Sequence, residues 1–413
     1  MYINHDRHNW QSALLFAILL IGMALYLGLA SLMLLSSGFD LVSAQSGAGS
    51  NIGTDFIIAS GLGFCGLSML PAVLFSFQRV KGKSIQPFQT RIVKAWQAIA
   101  MVAGWIGAVL LSDYLYQNFP LGWLAAAPFY IISISLPLVL LVWIGLGGIP
   151  MGSRNRFWGS LGIGMTVGPF LATLLEFFVY VGIIVILIFI LVLNPNWLVT
   201  LQQLYSQIRG LTDIDSTMKI LAPYLINPFV LISLFLILGV FTPLIEETLK
   251  PVVVWLMAGR LQGPSQGFAL GVISGAGFAL VESLLASSTP GLGWGQLLAA
   301  RAGGGLMHIF ASGLMGWGIA SAWHGKPLRL LGTYVLSVMV HGLWNCAAII
   351  IELGSLQPYL INNGFSKRLD SFSFVGTTIL GFLVLMTLPA LILINQKMRQ
   401  SVPAIQATSV HMI

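Results

Sequence analysis

The chain has 413 residues, of which 57% are hydrophobic and only 8% charged, and its mean hydropathy is +0.91. That balance excludes a soluble fold of this length and marks a polytopic membrane protein. A net charge of +7 is accounted for by basic loops, so no nucleic-acid partner is inferred from it.

In lipid every backbone polar group must be paired within its own segment, and long apolar runs therefore predict spanning helices. Ten are expected, at roughly 11–36, 55–78, 95–112, 121–146, 169–193, 223–258, 267–287, 297–323, 328–352 and 372–395. The fold class is all-α, a helical bundle in the membrane. The N-terminal run reads as a first spanning helix or retained anchor, with no small-residue cleavage site after it. Gly and Ser dominate the loop 38–54, and the span 169–193 carries a lone Glu176 assigned to packing or the interface. An external segment of about 194–222 holds Arg209, Asp213, Asp215 and Lys219 on an amphipathic stretch expected to lie on the membrane surface. The sixth run is too long for one straight span, and Asn227-Pro228 and Pro243 predict a bent or broken helix. Residues 354–370 form another external loop.

Thirteen of the nineteen basic residues fall on one side of this map: Arg7, the run from Arg79 to Lys94, Arg154, Arg156, Arg260, Lys326, Arg329, Lys397 and Arg399. The excess of Lys and Arg on cytoplasmic loops then puts both termini in the cytoplasm. Cys65 and Cys346 both lie within spans, lack metal-ligand spacing, and read as small apolar packers. No internal repeat is present. The chain divides into an accessory bundle at 1–222, a core at 223–353, and a closing loop, helix and tail at 354–413.

Ionisable residues concentrate in four consecutive spans of the core. Glu246, Glu247 and Lys250 sit in PLIEETLKPVVVW, Glu282 in GFALVESLLA, His308 in GLMHIFASG, and His341 with Asn345 in MVHGLWNCA. A charged side chain at such depth costs about 2.5–3.5 kcal/mol even on the mild insertion scale. The set is therefore read as an active site inside the bilayer. At 1.5 Å per residue, all of these groups fall between the middle and the outer half of a roughly 30 Å core, so they can converge. Spacings of three (Glu247, Lys250) and four (Glu246, Lys250; His341, Asn345) let each pair share a helix face.

Two adjacent carboxylates beside a lysine can be driven apart in acid strength. One stays ionised against Lys250 while the other takes a proton from water. Either glutamate of the pair fits either part. The histidines serve as metal ligands or as donors to a developing oxyanion, with Asn345 as a second donor or as the group that orients His341. Glu282, His308 and His341 as ligands, with a separate Glu as base, would make a catalytic zinc site with water in its open position. The implied chemistry is amide hydrolysis within the membrane. No HExxH is present. Ala-Ser-Gly at 311–313 is similar to the serine motif of rhomboid proteases, but Phe310 stands where that motif has Gly. Gly271 and Gly275 read as a small-residue packing face, not a nucleotide loop.

In order, Glu246-Glu247-x-x-Lys250, Phe278-x-x-x-Glu282, His308 followed by Ser312, Gly313 and Gly316, and His341-x-x-Trp344-Asn345 resemble the motifs of the PrsW family of intramembrane proteases, distant relatives of the CAAX prenyl endopeptidases. The resemblance covers about 240–350. It implies an intramembrane protease of metallo- or glutamate type in a bacterial plasma membrane. The implied substrate is a membrane-anchored, single-pass protein of the anti-sigma-factor kind, cut in regulated proteolysis. It marks Glu246, Glu247, Glu282, His308 and His341 as catalytic or metal-binding, with Asn345 supporting. By analogy with the CAAX relatives, Glu246 is the base and Glu247 faces Lys250. Glu282 stands where those relatives carry His. The competing class is a proton- or ion-coupled transporter, for which the broken sixth helix is suitable and the absence of repeats is not.

Overall fold

The computed structural model describes residues 9–43, 52–211, 213–291, 293–360 and 366–401. These hold helices and turns, and among them no strand beyond the isolated bridge of Pro87 and Ser153. Among the described residues nine helical stretches are long and apolar enough to cross a membrane: Trp10–Phe39, Ile52–Val80, Ala95–Asn118, Gly122–Leu146, Arg154–Ile190, Pro228–Leu256, Pro264–Ala286, Pro327–Ser355 and Ser371–Gln400. The tenth expected span, 297–323, is a 30-residue helix of sufficient length. It is not among the stretches apolar enough to count with the nine. Part of the Gly/Ser-rich loop expected at 38–54, and residues 361–365 of the loop at 354–370, lie outside the described residues.

The chain falls into two compact units. The first comprises Met1–Pro169, Glu247–Ser337 and Thr387–Ile413, the second Phe170–Glu246 and Val338–Met386.

In the first unit, α1 (Asn9–Ser43) packs on α2 (Ile52–Ser68) and α3 (Leu70–Val80), and α4 (Ala95–Asn118) on α5 (Gly122–Leu146). The expected span at 55–78 is thus two helices, divided at Met69 just before Pro71. Arg154 and Arg156 open a long helix, α6 (Arg154–Leu193), instead of lying in a loop. Ser153 starts it by accepting the Arg156 N–H on its hydroxyl. The centre of the unit is a pair of helices, α12 (Pro264–Ala286) and α13 (Trp294–Trp323), which pack against each other extensively. Ser265 to Val281 and Gly304 to Gly316 are buried throughout.

Small residues allow that contact. A Cβ on Gly271 would run into the Ser312 carbonyl oxygen, and one on Gly316 into the Gly267 carbonyl. Without a hydrophobic force between helices in lipid, such close backbone approach is what holds them together. Ser312 of the rhomboid-like tripeptide is fully buried at this crossing, a packing position. At one end the Trp294 indole donates to the Ser287 carbonyl at 2.8 Å, and Tyr130 of α5 donates to the Leu284 carbonyl.

In the second unit the external segment folds as two helices, α7 (Pro195–Ile208) and α8 (Ile214–Leu225). Asp213 caps α8 by accepting the Asp215 and Ser216 N–H groups, and its bonds with Ser216 hold its carboxyl below the usual carboxylate range. Ala222 packs in an apolar cluster with Leu356, Leu360 and Leu369, while Tyr359 donates to Asp215 at 2.8 Å. The broken sixth span begins later than expected, because Asn227 caps a new helix, α9 (Pro228–Leu236), with Pro228 at its first position. A π-helical turn, Ile237–Phe241, follows, then α10 (Thr242–Leu249), whose last residues from Glu247 on belong to the first unit, as does the short α11 (Val252–Leu256). The last long helices are α14 (Pro327–Ser355) and α15 (Ser366–Gln400).

Candidate active site

Proline chemistry shapes the segment that carries the paired glutamates. Pro243 has no N–H for a carbonyl one turn back, and the Thr242 N–H bonds the Ile237 carbonyl across the wide π turn. The Leu238 carbonyl is taken instead by the side-chain amide of Asn345 at 2.8 Å. Gly239 and Gly342 let α14 approach this turn, since a Cβ on Gly342 would collide with the Gly239 carbonyl. His341, one turn before Asn345, places Nε2 at 3.8 Å from Glu246 Oε2 and 3.3 Å from the Asn345 amide nitrogen.

The 3.8 Å separation exceeds a hydrogen bond. Two ligands of one tetrahedral ion, each about 2.1 Å from it, stand about 3.4 Å apart. Glu246 and His341, both buried, are therefore spaced like donors that share an ion or a water.

The next residue along begins a second cluster. Glu247 Oε1 meets Lys250 Nζ at 2.7 Å, and both side chains are fully buried. Pro251 ends α10 at this point, and the hydroxyl of Ser274 on α12 accepts the role of donor to the Lys250 carbonyl. The Lys250 ammonium lies 4.9 Å from the centre of the Phe278 ring, which in turn lies 5.7 Å from the His308 ring. One turn after Phe278, Glu282 divides its carboxylate. Oε2 lies 2.7 Å from His308 Nε2 and Oε1 accepts from Arg301 at 2.8 Å, with the Arg301 Nε donating to Ser283 at 3.1 Å.

Two carboxylates thus meet two permanent cations. Their charges balance one for one.

All seven residues marked from the sequence take part in these contacts. Glu246 faces His341, which lies against Asn345; Glu247 pairs with Lys250, and Glu282 with His308. Arg301 is the partner that sequence reasoning passed over. Its signal was present, because it precedes His308 by seven residues, two helical turns, and so lies on the same face of α13.

Residues 171–366 match the model of the PrsW family intramembrane metalloprotease. This segment, just under half of the chain, is similar to the PrsW family. No curated protein and no solved structure matches the chain. The PrsW match is wider than the 240–350 region carrying the motifs, and it takes in most of α6 as well as α7 and α8. It contains every one of the seven marked residues and Arg301. The apolar helices make the chain a multi-pass membrane protein, and its segment 171–366 is similar to the intramembrane metalloproteases of that family. In the second unit buried Glu246 and His341 offer a carboxylate and an imidazole, and in the first buried His308 offers another imidazole, each a donor type that a catalytic divalent metal takes.

Proposed function

We propose that the chain hydrolyses a peptide bond of a single-pass, membrane-anchored protein of the anti-sigma-factor kind, in the bacterial plasma membrane, as a step of regulated proteolysis. The observation that carries the reading is that each intramembrane imidazole faces its own carboxylate, His341 toward Glu246 and His308 toward Glu282. A transporter relay needs titratable groups in sequence. It has no need of two histidines each set against a carboxylate, one of them clamped further by an arginine.

In this reading Glu246, His308 and His341 hold the metal. Its chemistry when bound is the polarisation of a water and of the scissile carbonyl. Glu282 is reassigned from ligand to positioning residue, because Arg301 already occupies one of its oxygens and His308 the other. A carboxylate on the far ring nitrogen of a ligating histidine fixes its orientation and raises its basicity. Asn345 positions His341 and fastens the π turn that sets Glu246. Glu247, adjacent to Glu246 and charge-balanced by Lys250, accepts the proton released when water attacks.

The test is co-expression of tagged single-pass membrane proteins with wild type and with Glu246→Gln, Glu247→Gln and His308→Ala at equal membrane levels. Products that appear with wild type and vanish with all three variants are expected. Equal cleavage by wild type and variants would overturn the assignment.

A further inference from the structure

At one end of the first unit, remote in sequence from the paired histidines, lies a cavity of about 2010 Å³. Sites for drug-sized ligands run to about 300–1,000 Å³, so this one has room for something larger. Its lining joins the start of α1, the connection from α3 to α4, the start of α6 and the stretch from α11 to α12. The charge on that lining is of one sign. Arg79, Arg91, Arg154, Arg156 and Arg260 line it, and among the described residues no Asp or Glu does. Among the described residues none of the five is in an ion pair. Arg156 is half-buried and reaches Gln266 on the cavity wall at 3.4 Å, while the other four are exposed.

Beside these cations the wall is apolar, with Trp10, Leu14, Phe75, Trp158, Ile163 and Leu256. Trp10 and Arg154 open two of the membrane-length helices and Leu256 closes a third. The cavity therefore sits where those helices begin and end, at the depth of a headgroup region. An arginine cluster next to a greasy wall at helix ends has the complementarity of a phosphate headgroup joined to acyl chains. A water-soluble anion would use the arginines and leave the apolar wall idle.

We propose that this cavity binds an anionic phospholipid, its phosphate held by Arg154, Arg156 and Arg260 and its chains laid along Trp10, Trp158 and Leu256. The arginines belong to the basic set assigned above to the cytoplasmic side, so the lipid comes from that leaflet. The wall includes α11, which begins two residues after Lys250, so occupancy would brace the segment leaving the paired glutamates.

The experiment uses the full chain in neutral detergent, with retained lipid counted by native mass spectrometry during titration with phosphatidylglycerol, phosphatidylcholine or inorganic phosphate. Saturable retention of one phosphatidylglycerol is expected, with phosphatidylcholine failing to compete. Arg154→Gln and Arg260→Gln, both at exposed positions that leave the fold intact, should each weaken retention about fivefold. Arg209→Gln, which does not line the cavity, should leave it unchanged. Equal retention of phosphatidylcholine would overturn the proposal in favour of a nonspecific greasy surface. Displacement of the lipid by inorganic phosphate alone would overturn it in favour of a small-anion site. Unaltered retention in both arginine variants would remove the cavity as the binding place.

Discussion

The side-chain amide of Asn345 on α14 donates to the Leu238 carbonyl at 2.8 Å. That bond closes a turn which the backbone alone leaves open, since Pro243 contributes no N–H and Thr242 is committed to Ile237. Asn345 thus fastens the segment from which Glu246 projects, besides lying against His341. Asn345→Ala should lower stability by about 1–3 kcal/mol, the range for stranding a polar partner, and should lower cleavage as well. Asn345→Asp, which removes the donor and adds a charge facing a carbonyl, should be worse. Thermal unfolding in detergent, read beside the cleavage assay, checks both. An alanine variant with wild-type melting would show that the bond holds nothing.

The pair of Glu247 and Lys250 has both side chains fully buried. Removing one member leaves a lone charge in an apolar interior, which typically destabilises by about 3–5 kcal/mol, whereas removing both can be nearly neutral. Lys250→Met should therefore reduce the folded protein in membranes sharply. Glu247→Gln with Lys250→Met should recover most of it, while remaining inactive. Membrane abundance and melting of the two single variants and the double variant measure the recovery. A double variant as depleted as Lys250→Met would mean that the lysine does more than neutralise Glu247.

Much of this was legible in the chain itself. Apolar runs locate the helices because lipid leaves no alternative, and an ionised group at that depth identifies itself by its cost. The glycine face at Gly271 was readable for the same reason, since only small residues permit helix contact there. Partner choice was less legible. Glu282 and Arg301 stand nineteen residues apart on two helices, and their meeting depends on how α12 and α13 are rotated about their axes, which no spacing rule gives. Pro243 predicted a break in the sixth span, but its form as a π turn depends on Asn345 being at hand to take the orphaned carbonyl. The start of α6 was missed because Arg154 and Arg156 resemble a loop, whereas they open a helix at its solvated end, capped by Ser153.

Arg301 and Glu282 offer a test of positioning as distinct from ligation. With Arg301→Ala, the Glu282 carboxylate loses the cation that fixes it, and its grip on His308 Nε2 loosens. Removing such an outer partner typically reduces metal affinity or activity by about 10–100-fold, and the loss should appear in kcat at unchanged membrane abundance. Arg301→Lys keeps the charge without the two-pronged hold on Glu282 and Ser283, and should restore part of the rate. Full activity in Arg301→Ala would reduce the arginine to a packing role.

Metal content separates the roles of the two adjacent glutamates, which cleavage alone does not. With Glu246, His308 and His341 as ligands, the purified protein should carry one divalent ion per chain, by elemental analysis, and chelation should abolish cleavage until zinc is returned. Glu246→Gln and His341→Ala each remove one of three ligands, so both should lose the ion as well as activity. Glu247→Gln, in whatever fraction folds with Lys250 left unpaired, should keep the ion and still be inactive, because it removes the proton acceptor and no ligand. Glu282→Gln should bind the ion more weakly, since His308 loses its orienting charge without losing a ligand. If Glu282→Gln emptied the site while Glu246→Gln stayed loaded, Glu282 would be the ligand and Glu246 the base, and the carboxylate roles argued from the Arg301 contact would have to be exchanged.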